Sequence, residues 1–494
     1  MVLIDELREA WGSESRDHRV AWLCILVIAL DIRLLYLRQP MRYDEAITYM
    51  YFVRESWPDA LSLYTYPNNH LFHTALAKAC IAVFGNSPWV LRLPAFLAGT
   101  LIVPATYAVA RAFYDGRIAL YAGALTASSG ILTLYSTNAR GYSIVGLAFL
   151  LLVLQAIRLS RGAPPSEWLV FAVIAALGLW AIPTMLYPLG AVCLWFLLTA
   201  LVENRKGELR RFAIGLGCAA ALTLLVYLPV ISREGLAKIT QNKFVASSGW
   251  LEFFEQMSLT SREAITSWSL GLPPVVTVSL ALAAIYALAR GSALRKLRIS
   301  LALASFVWSA WLLVVNHRAP FARVWLWFLP VAAMLAAAGA VELLTRWNRT
   351  KKAVDERTPL LAVATSLAMA LSVVFSYAVL LSRDTGTYRE ASEAAAVLAK
   401  YLRPGDAILV GLPTNGPLSY YLDRIGVPGD VLTRDEREAK RVFVVFDRGE
   451  GQSLDLIVGR TPLRDTTQYQ PPQLVQELQL SAVVLYQRRN APAK

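Results

Sequence analysis

Three short polar clusters interrupt a strongly apolar chain: Arg42-Tyr43-Asp44-Glu45, Tyr66-Pro67-Asn68-Asn69-His70 and Asn138-Ala139-Arg140-Gly141-Tyr142. The first follows directly on the first membrane-length apolar run. Acids are costly to hold at a lipid–water boundary, and where they occur there they mark function. A carboxylate in that position can take the proton of an attacking hydroxyl, if it is ionised until the transition state. Asp44 is the candidate base, with Glu45 as a second candidate catalytic acid. On a helix the two side chains would point about 100° apart, so they are expected to do different jobs. The plainer reading is that both favour the first turn of an interfacial helix and that Glu45 pairs with Arg42 at a surface.

Cations supply the complementary chemistry. A departing phosphate needs positive donors, and guanidinium meets it with two parallel hydrogen bonds. Arg140 lies where one helix ends and the next begins. Arg323 lies in Pro320-Phe321-Ala322-Arg323-Val324-Trp325, at a helix start. The plainer reading of each is an arginine snorkelling to lipid headgroups. His70, if neutral, can donate to a phosphate or a sugar hydroxyl. His70 and His73 are spaced to share a helical face, but no third ligand is evident and no metal site is assigned. Tyr64, Tyr66, Trp250 and Trp268 could stack on sugar rings, although membrane-interface belts use the same residues. Cys24, Cys80, Cys193 and Cys218 all lie in apolar segments without metal-ligand spacing, and read as core residues.

The elements that must position these groups follow from composition. The chain is 56% hydrophobic and 17% charged, against about 25% charged for soluble domains. Its net charge of +13 sits in short Lys/Arg clusters between apolar runs, as in cytoplasmic loops and unlike a nucleic-acid binder. About eleven segments approach the roughly 20 residues a bilayer requires: Ala21–Leu37, Trp89–Ala110, Ile118–Tyr135, Ser143–Leu159, Trp168–Ile182, Leu186–Val202, Phe212–Ile231, Pro273–Ala289, Ile299–Val315, Trp325–Leu344 and Pro359–Leu381. The first lacks a small-residue cleavage site and reads as an uncleaved anchor. Leu71–Phe84 is too short to span comfortably and reads as interfacial or re-entrant. Alternate loops carry the basic residues, among them Arg205, Lys206, Arg346, Arg349, Lys351 and Lys352. That bias predicts a cytoplasmic N-terminus and puts Asp44, His70, Arg140 and Arg323 on the outer face.

Beyond Arg383 the pattern changes. Glu390–Leu402 reads as an amphipathic helix, and Asp406–Val410, Arg441–Phe446 and Ala482–Tyr486 as short strands between Gly and Pro punctuation. No glycine-rich phosphate loop opens a helix there, so no nucleotide site is read. The expected fold is mainly α, a polytopic helix bundle with a small C-terminal α/β domain outside the membrane. Residues 1–382 form the membrane domain, with outer loops at 38–88 and 232–272, and residues 383–494 the soluble domain.

The combination resembles the C-type polytopic membrane glycosyltransferases, and most closely family 39, the bacterial relatives of protein mannosyltransferases and lipid A aminoarabinose transferases. The motifs are Tyr43-Asp44-Glu45-Ala46, Asn68-Asn69-His70-Leu71 running to Phe84-Gly85-Asn86-Ser87, Leu91-Arg92-Leu93-Pro94, Tyr135 to Tyr142, and the Pro-Phe-x-Arg run ending at Arg323. The likeness implies a polyprenyl-phosphate-linked sugar donor and inverting transfer on the outer face of a bacterial inner membrane. The acceptor would be a glycan, a glycolipid or a secreted protein. It further implies Asp44 as catalytic base and substrate contacts from Arg42, Tyr43, Asn69, His70, Arg140, Tyr142 and Arg323. Some relatives carry a second acid before the fourth span. Thr137-Asn138-Ala139-Arg140 has none, so a divalent metal is not expected to be required. A lipid-linked-sugar flippase or another transporter is the alternative; the missing internal repeat argues against it. A catalytically dead scaffold is a third reading, against which stand intact Asp44 and Glu45.

Overall fold

In lipid a backbone can satisfy its polar groups only through helix or closed barrel, and long apolar stretches with few Gly or Pro breaks leave helix as the outcome. The computed structural model describes residues 2–66, 69–241, 247–290, 295–347, 351–459 and 461–489. Pro67, Asn68 and Arg349, named above, lie outside the described residues. Two compact units divide the chain. The first holds Met1–Leu37, Leu61–Cys80 and Leu91–Leu381, and the second Arg38–Ala60, Ile81–Val90 and Ser382–Lys494.

Among the described residues, seven helices are long and apolar enough to cross a membrane: Arg16–Leu37, Pro88–Phe113, Tyr142–Ser160, Pro183–Val202, Gly207–Glu234, Ala322–Trp347 and Glu356–Phe375. The straight span expected over Ile118–Tyr135 is instead a pair, Gly116–Ala127 and Gly130–Ser136, bent by 61°. Ser128-Ser129-Gly130 makes the break, and the Ser129 hydroxyl caps the second helix by accepting from Leu132 N. Three shorter apolar helices, Glu167–Ala181, Pro274–Arg290 and Leu301–Asn316, match the remaining expected segments. Leu71–Phe84 is a 14-residue helix, well short of the roughly 20 residues of a full crossing. The protein is thus a multi-span membrane protein. Apolar side chains such as Leu225 (60% exposed) and Phe375 (74%) stand outward on span helices, which is tolerable only against lipid.

Small residues let the helices of the first unit approach. A Cβ on Gly190 would fall 1.9 Å from the Trp308 ring, one on Gly215 2.6 Å from the Trp168 ring, and one on Gly339 1.9 Å from the Ala283 carbonyl oxygen. These glycines seat Leu186–Val202 on Leu301–Asn316, Lys206–Glu234 on Glu167–Ala181, and Leu329–Trp347 on Pro274–Arg290. Without a hydrophobic drive between helices in lipid, such close van der Waals contact is what holds them. Arg33, fully buried on Arg16–Leu37, serves the break in the bent pair. Its Nη1 donates to Ala127 O at 2.9 Å and Ala29 O at 2.8 Å, and its Nε to the Ser136 hydroxyl at 3.2 Å.

The second unit contains a four-stranded sheet. Its strands are β1 (Ala407–Val410), β2 (Arg441–Asp447), β3 (Gln473–Glu477) and β4 (Ser481–Gln487), in the order β1-β2-β4-β3. β1 and β2 run parallel, and the other pairs antiparallel. Period-two alternation sends Phe443, Val445 and Val483 to one core and Val442, Val444 and Val484 to another. Helices Ala391–Tyr401 and Asn415–Arg424 pack together over the first face. Three strands and the first helix follow the sequence reading. β3, with sequence QLVQE and largely exposed at the edge, was not predicted, because its polar alternation carries little apolar signal. Asn415–Arg424, where Gly416 and Pro417 punctuate the sequence, is a helix; Pro417 sits in its first turn, where its missing N–H costs nothing.

Candidate active site

The candidate residues fall in both units, and each group has its own architecture. In the second unit, Tyr43–Thr48 is a short helix. Glu45, fully buried, accepts from the Arg42 backbone N–H at 2.9 Å. This is the reciprocal half of a capping box, in which the third helical residue reaches back to the cap. The Arg42 guanidinium is also committed. Its Nη1 donates to the carbonyls of Ser382 and Asp384, both at 2.9 Å, and its Nη2 to the Gln39 side chain at 3.2 Å. Arg42 and Glu45 thus both have scaffold contacts. Asp44 is 8% exposed, and its backbone N–H donates to Thr385 O at 3.2 Å. The Tyr43 ring lies against Gly416 and its Cβ against Gly386; a Cβ added to Gly416 would fall 2.6 Å from the ring, and one on Gly386 2.8 Å from the Tyr43 Cβ.

In the first unit, His70 organises the second group. It is 2% exposed, and its Nδ1 accepts from the Gly141 backbone N–H at 2.8 Å. A neutral imidazole that accepts at Nδ1 carries its proton on Nε2. Burial, then the charge of Arg140, holds the His70 pKa well below the ordinary histidine value, with smaller contributions from His73 and Arg323. The ring is therefore neutral with an Nε2–H. That atom lies 3.2 Å from Arg140 Nη2, which can only donate. An Nε2–H and a guanidinium nitrogen thus lie side by side, both buried, and both are groups that suit an anionic oxygen.

Tyr142 and Arg323 complete this cluster. The Tyr142 ring meets His70 edge-on at 5.2 Å and Tyr135 at 5.2 Å, and its hydroxyl accepts from Arg323 Nε at 3.0 Å. The Arg323 guanidinium stacks over Phe321 at 4.5 Å. His73 is buried without a hydrogen-bond partner for either ring nitrogen among the described residues; burial and Arg140 push its pKa down to about 3. Asn69 shapes the loop: its amide donates to Leu63 O at 2.7 Å and its oxygen accepts from Thr74 at 2.8 Å. Sequence reasoning missed the Gly141 amide that fixes the His70 tautomer, because a backbone donor leaves no side-chain signal. No group of three or more His, Cys, Asp or Glu with metal-binding geometry occurs among the described residues.

Comparison with known proteins agrees with this architecture. Residues 69–232 match the family described as dolichyl-phosphate-mannose-protein mannosyltransferase. No curated protein matches the chain. The fold is similar to that of ArnT from Cupriavidus metallidurans in the apo state, with TM-score 0.62 and 15% identity over 94% of this chain and 98% of that one. ArnT bound to undecaprenyl phosphate gives TM-score 0.60 at 15% identity over 94% and 97% of the two chains. The family match lies within residues 69–232, and the likeness to ArnT extends a shared fold over 94% of the chain.

Proposed function

We propose that the protein moves a monosaccharide from a polyprenyl-phosphate donor to an acceptor hydroxyl, with inversion, on the outer face of a bacterial inner membrane. The observation that carries this reading is the pair of N–H donors at His70 Nε2 and Arg140 Nη2, 3.2 Å apart, with Arg323 adding to the positive field on His70. Such a group suits a lipid phosphate that gains charge as its glycosidic bond breaks, where preorganised donors stabilise the transition state most. Undecaprenyl phosphate, bound by the structurally similar ArnT, supports a lipid of that chemistry.

In this reading Asp44 takes the acceptor proton during attack on the anomeric carbon. Arg140, Arg323 and His70 hold the departing phosphate, and Tyr142 orients Arg323. Arg42 and Glu45 support the Asp44 helix. No metal is assigned a role. The basic loops are cytoplasmic with the N-terminus, and the C-terminal region is periplasmic. The acceptor is a glycan, glycolipid or protein hydroxyl.

The test uses purified protein in lipid nanodiscs with a panel of radiolabelled polyprenyl-phosphate sugars, with and without chelator. Turnover that survives chelation and falls at least a hundredfold in Asp44→Asn, on the order expected for loss of a general base, with donor binding retained, is the expected result. Wild-type turnover by Asp44→Asn would overturn the base assignment. Donor binding without turnover on every sugar and acceptor tried would favour a lipid-carrier transporter instead.

A further inference from the structure

The segment carrying Asp44 does not end with its own helix. Tyr43–Thr48 runs directly into a π-helical turn, Tyr49–Val53, and π turns inside helices concentrate at functional sites. Within the second unit, the anchors of this segment come largely from the C-terminal region. Tyr43 N and Asp44 N donate to Gly386 O and Thr385 O, both at 3.2 Å. At the far end, Tyr49 Oη donates to Asp423 Oδ2 at 3.0 Å, and Arg54 Nη1 to Asp423 Oδ1 at 3.1 Å. Tyr49 Oη also accepts from Asn86 Nδ2 at 2.8 Å, and Asn86 Oδ1 accepts from Tyr420 Oη at 3.0 Å. The Tyr49 and Tyr420 rings meet edge-on at 5.0 Å.

Asp423 lies in the last turn of Asn415–Arg424, the helix whose Gly416 leaves no room for a Cβ beside Tyr43. One helix therefore touches the acid-bearing segment at both ends. Each Asp423 oxygen has its own donor, so an amide in its place would turn one acceptor into a donor and break one bond. The Arg54–Asp423 pair is about one-third exposed on both sides, and a pair so solvated contributes little to stability. What it supplies is direction. Tyr49, by contrast, is 7% exposed; burial first, and then its bond to Asp423, push its phenol up to about 12, so it remains a donor at neutral pH.

We propose that Asp423 is a positioning residue for sugar transfer: by holding Tyr49 and Arg54 it fixes the π turn, and through it the aim of the Asp44 carboxylate. The inference rests on the reading of Asp44 as base. The C-terminal region is then part of the machinery that sets kcat.

The experiment compares full-length wild type, Asp423→Asn, Asp423→Glu, Tyr49→Phe, the Asp423→Asn/Tyr49→Phe double variant and Asp44→Asn in nanodiscs. It measures kcat, donor KM and amide hydrogen exchange. Asp423→Asn is expected to lower kcat by roughly ten- to a hundredfold, the scale of a catalytic group misplaced by about 1 Å, with donor KM unchanged. Asp423→Glu should recover part of the loss. The double variant should be no slower than the worse single one, since both remove one linkage. Exchange should rise across residues 43–53 and stay unchanged in β2. Unchanged kcat, additive losses, or unaltered exchange in 43–53 would overturn the proposal. If Asp423→Asn does not accumulate, Tyr49→Phe is judged by the same criteria. Full turnover by Asp44→Asn, with 43–53 loosened in Asp423→Asn, would sink the base assignment and leave the hold of Asp423 on the segment standing. An inactive Asp44→Asn beside an unaffected Asp423→Asn would do the reverse.

Discussion

His70 faces two ways, and two substitutions separate its faces. Its Nδ1 accepts from Gly141 N at 2.8 Å, and its Nε2–H points beside Arg140 Nη2 at 3.2 Å. Asparagine places an amide oxygen near the Nδ1 position and has nothing at Nε2. Glutamine places an amide nitrogen near Nε2 and has nothing at Nδ1. His70→Asn should therefore keep the Gly141 bond and lose one hydrogen bond to a charged ligand, worth about 1.5–3 kcal/mol. That corresponds to roughly 10- to 150-fold weaker binding of undecaprenyl phosphate. His70→Gln should retain most of that affinity but strand a buried N–H, at a cost of about 1–3 kcal/mol in stability. Equilibrium binding of labelled undecaprenyl phosphate in nanodiscs reads the first quantity and thermal unfolding the second. Wild-type affinity in His70→Asn, or a weaker affinity in His70→Gln than in His70→Asn, would refute the assignment of Nε2–H as a phosphate donor.

Two further predictions concern the body of the protein. His70 and His73 have folded pKa values below the ordinary 6.5, so below that pH the unfolded chain binds protons that the folded chain refuses. Their stabilising contribution is whole above pH 6.5 and is lost as pH falls toward the folded values, by about 1.4 kcal/mol per pH unit for each histidine. Melting temperatures measured from pH 6.5 to 5.5 should fall, and His73→Phe should flatten that slope; an unchanged slope would show that His73 is not held neutral. Gly339→Ala puts a Cβ 1.9 Å from the Ala283 carbonyl oxygen, a backbone atom that cannot swing aside, so it should cost about 1–3 kcal/mol by overpacking. Gly217→Ala, with nothing within 4 Å, should be neutral or slightly stabilising in the same unfolding assay, and equal effects of the two would refute the packing argument.

Much of this architecture was legible because bilayer chemistry is strict. Length and hydropathy alone located the span helices, since each must close its own backbone bonds in lipid. The 61° bend after Ala127 is not legible in the sequence because Ser-Ser-Gly inside an apolar run barely lowers hydropathy, and the compensating donor, Arg33, lies about a hundred residues earlier in the chain. In the candidate site, residue type pointed to Arg140, Arg323 and His70, and the structure brings these together with Tyr142. It could not reveal how they are used. Arg42 reads as a substrate contact in sequence, yet its guanidinium binds the Ser382 and Asp384 carbonyls. Asp423 gave no signal at all, because its partners Tyr49 and Arg54 are more than 360 residues away.

Arg33 bears on how the protein is made. The first span leaves the ribosome long before Gly116–Ser136 exists, so its guanidinium would enter the bilayer without the Ala127 carbonyl or the Ser136 hydroxyl that it later binds. Arg33 lies towards the C-terminal end of Arg16–Leu37, where a bare guanidinium must snorkel to the headgroups or go unpaired. The bent pair carries the opposite debt, an unserved carbonyl at its break. Each segment is a poor lodger in lipid alone, and the two become a good one together. Arg33 therefore ties the first span to the bent pair, which leads directly into residues 137–141, the turn that carries Arg140.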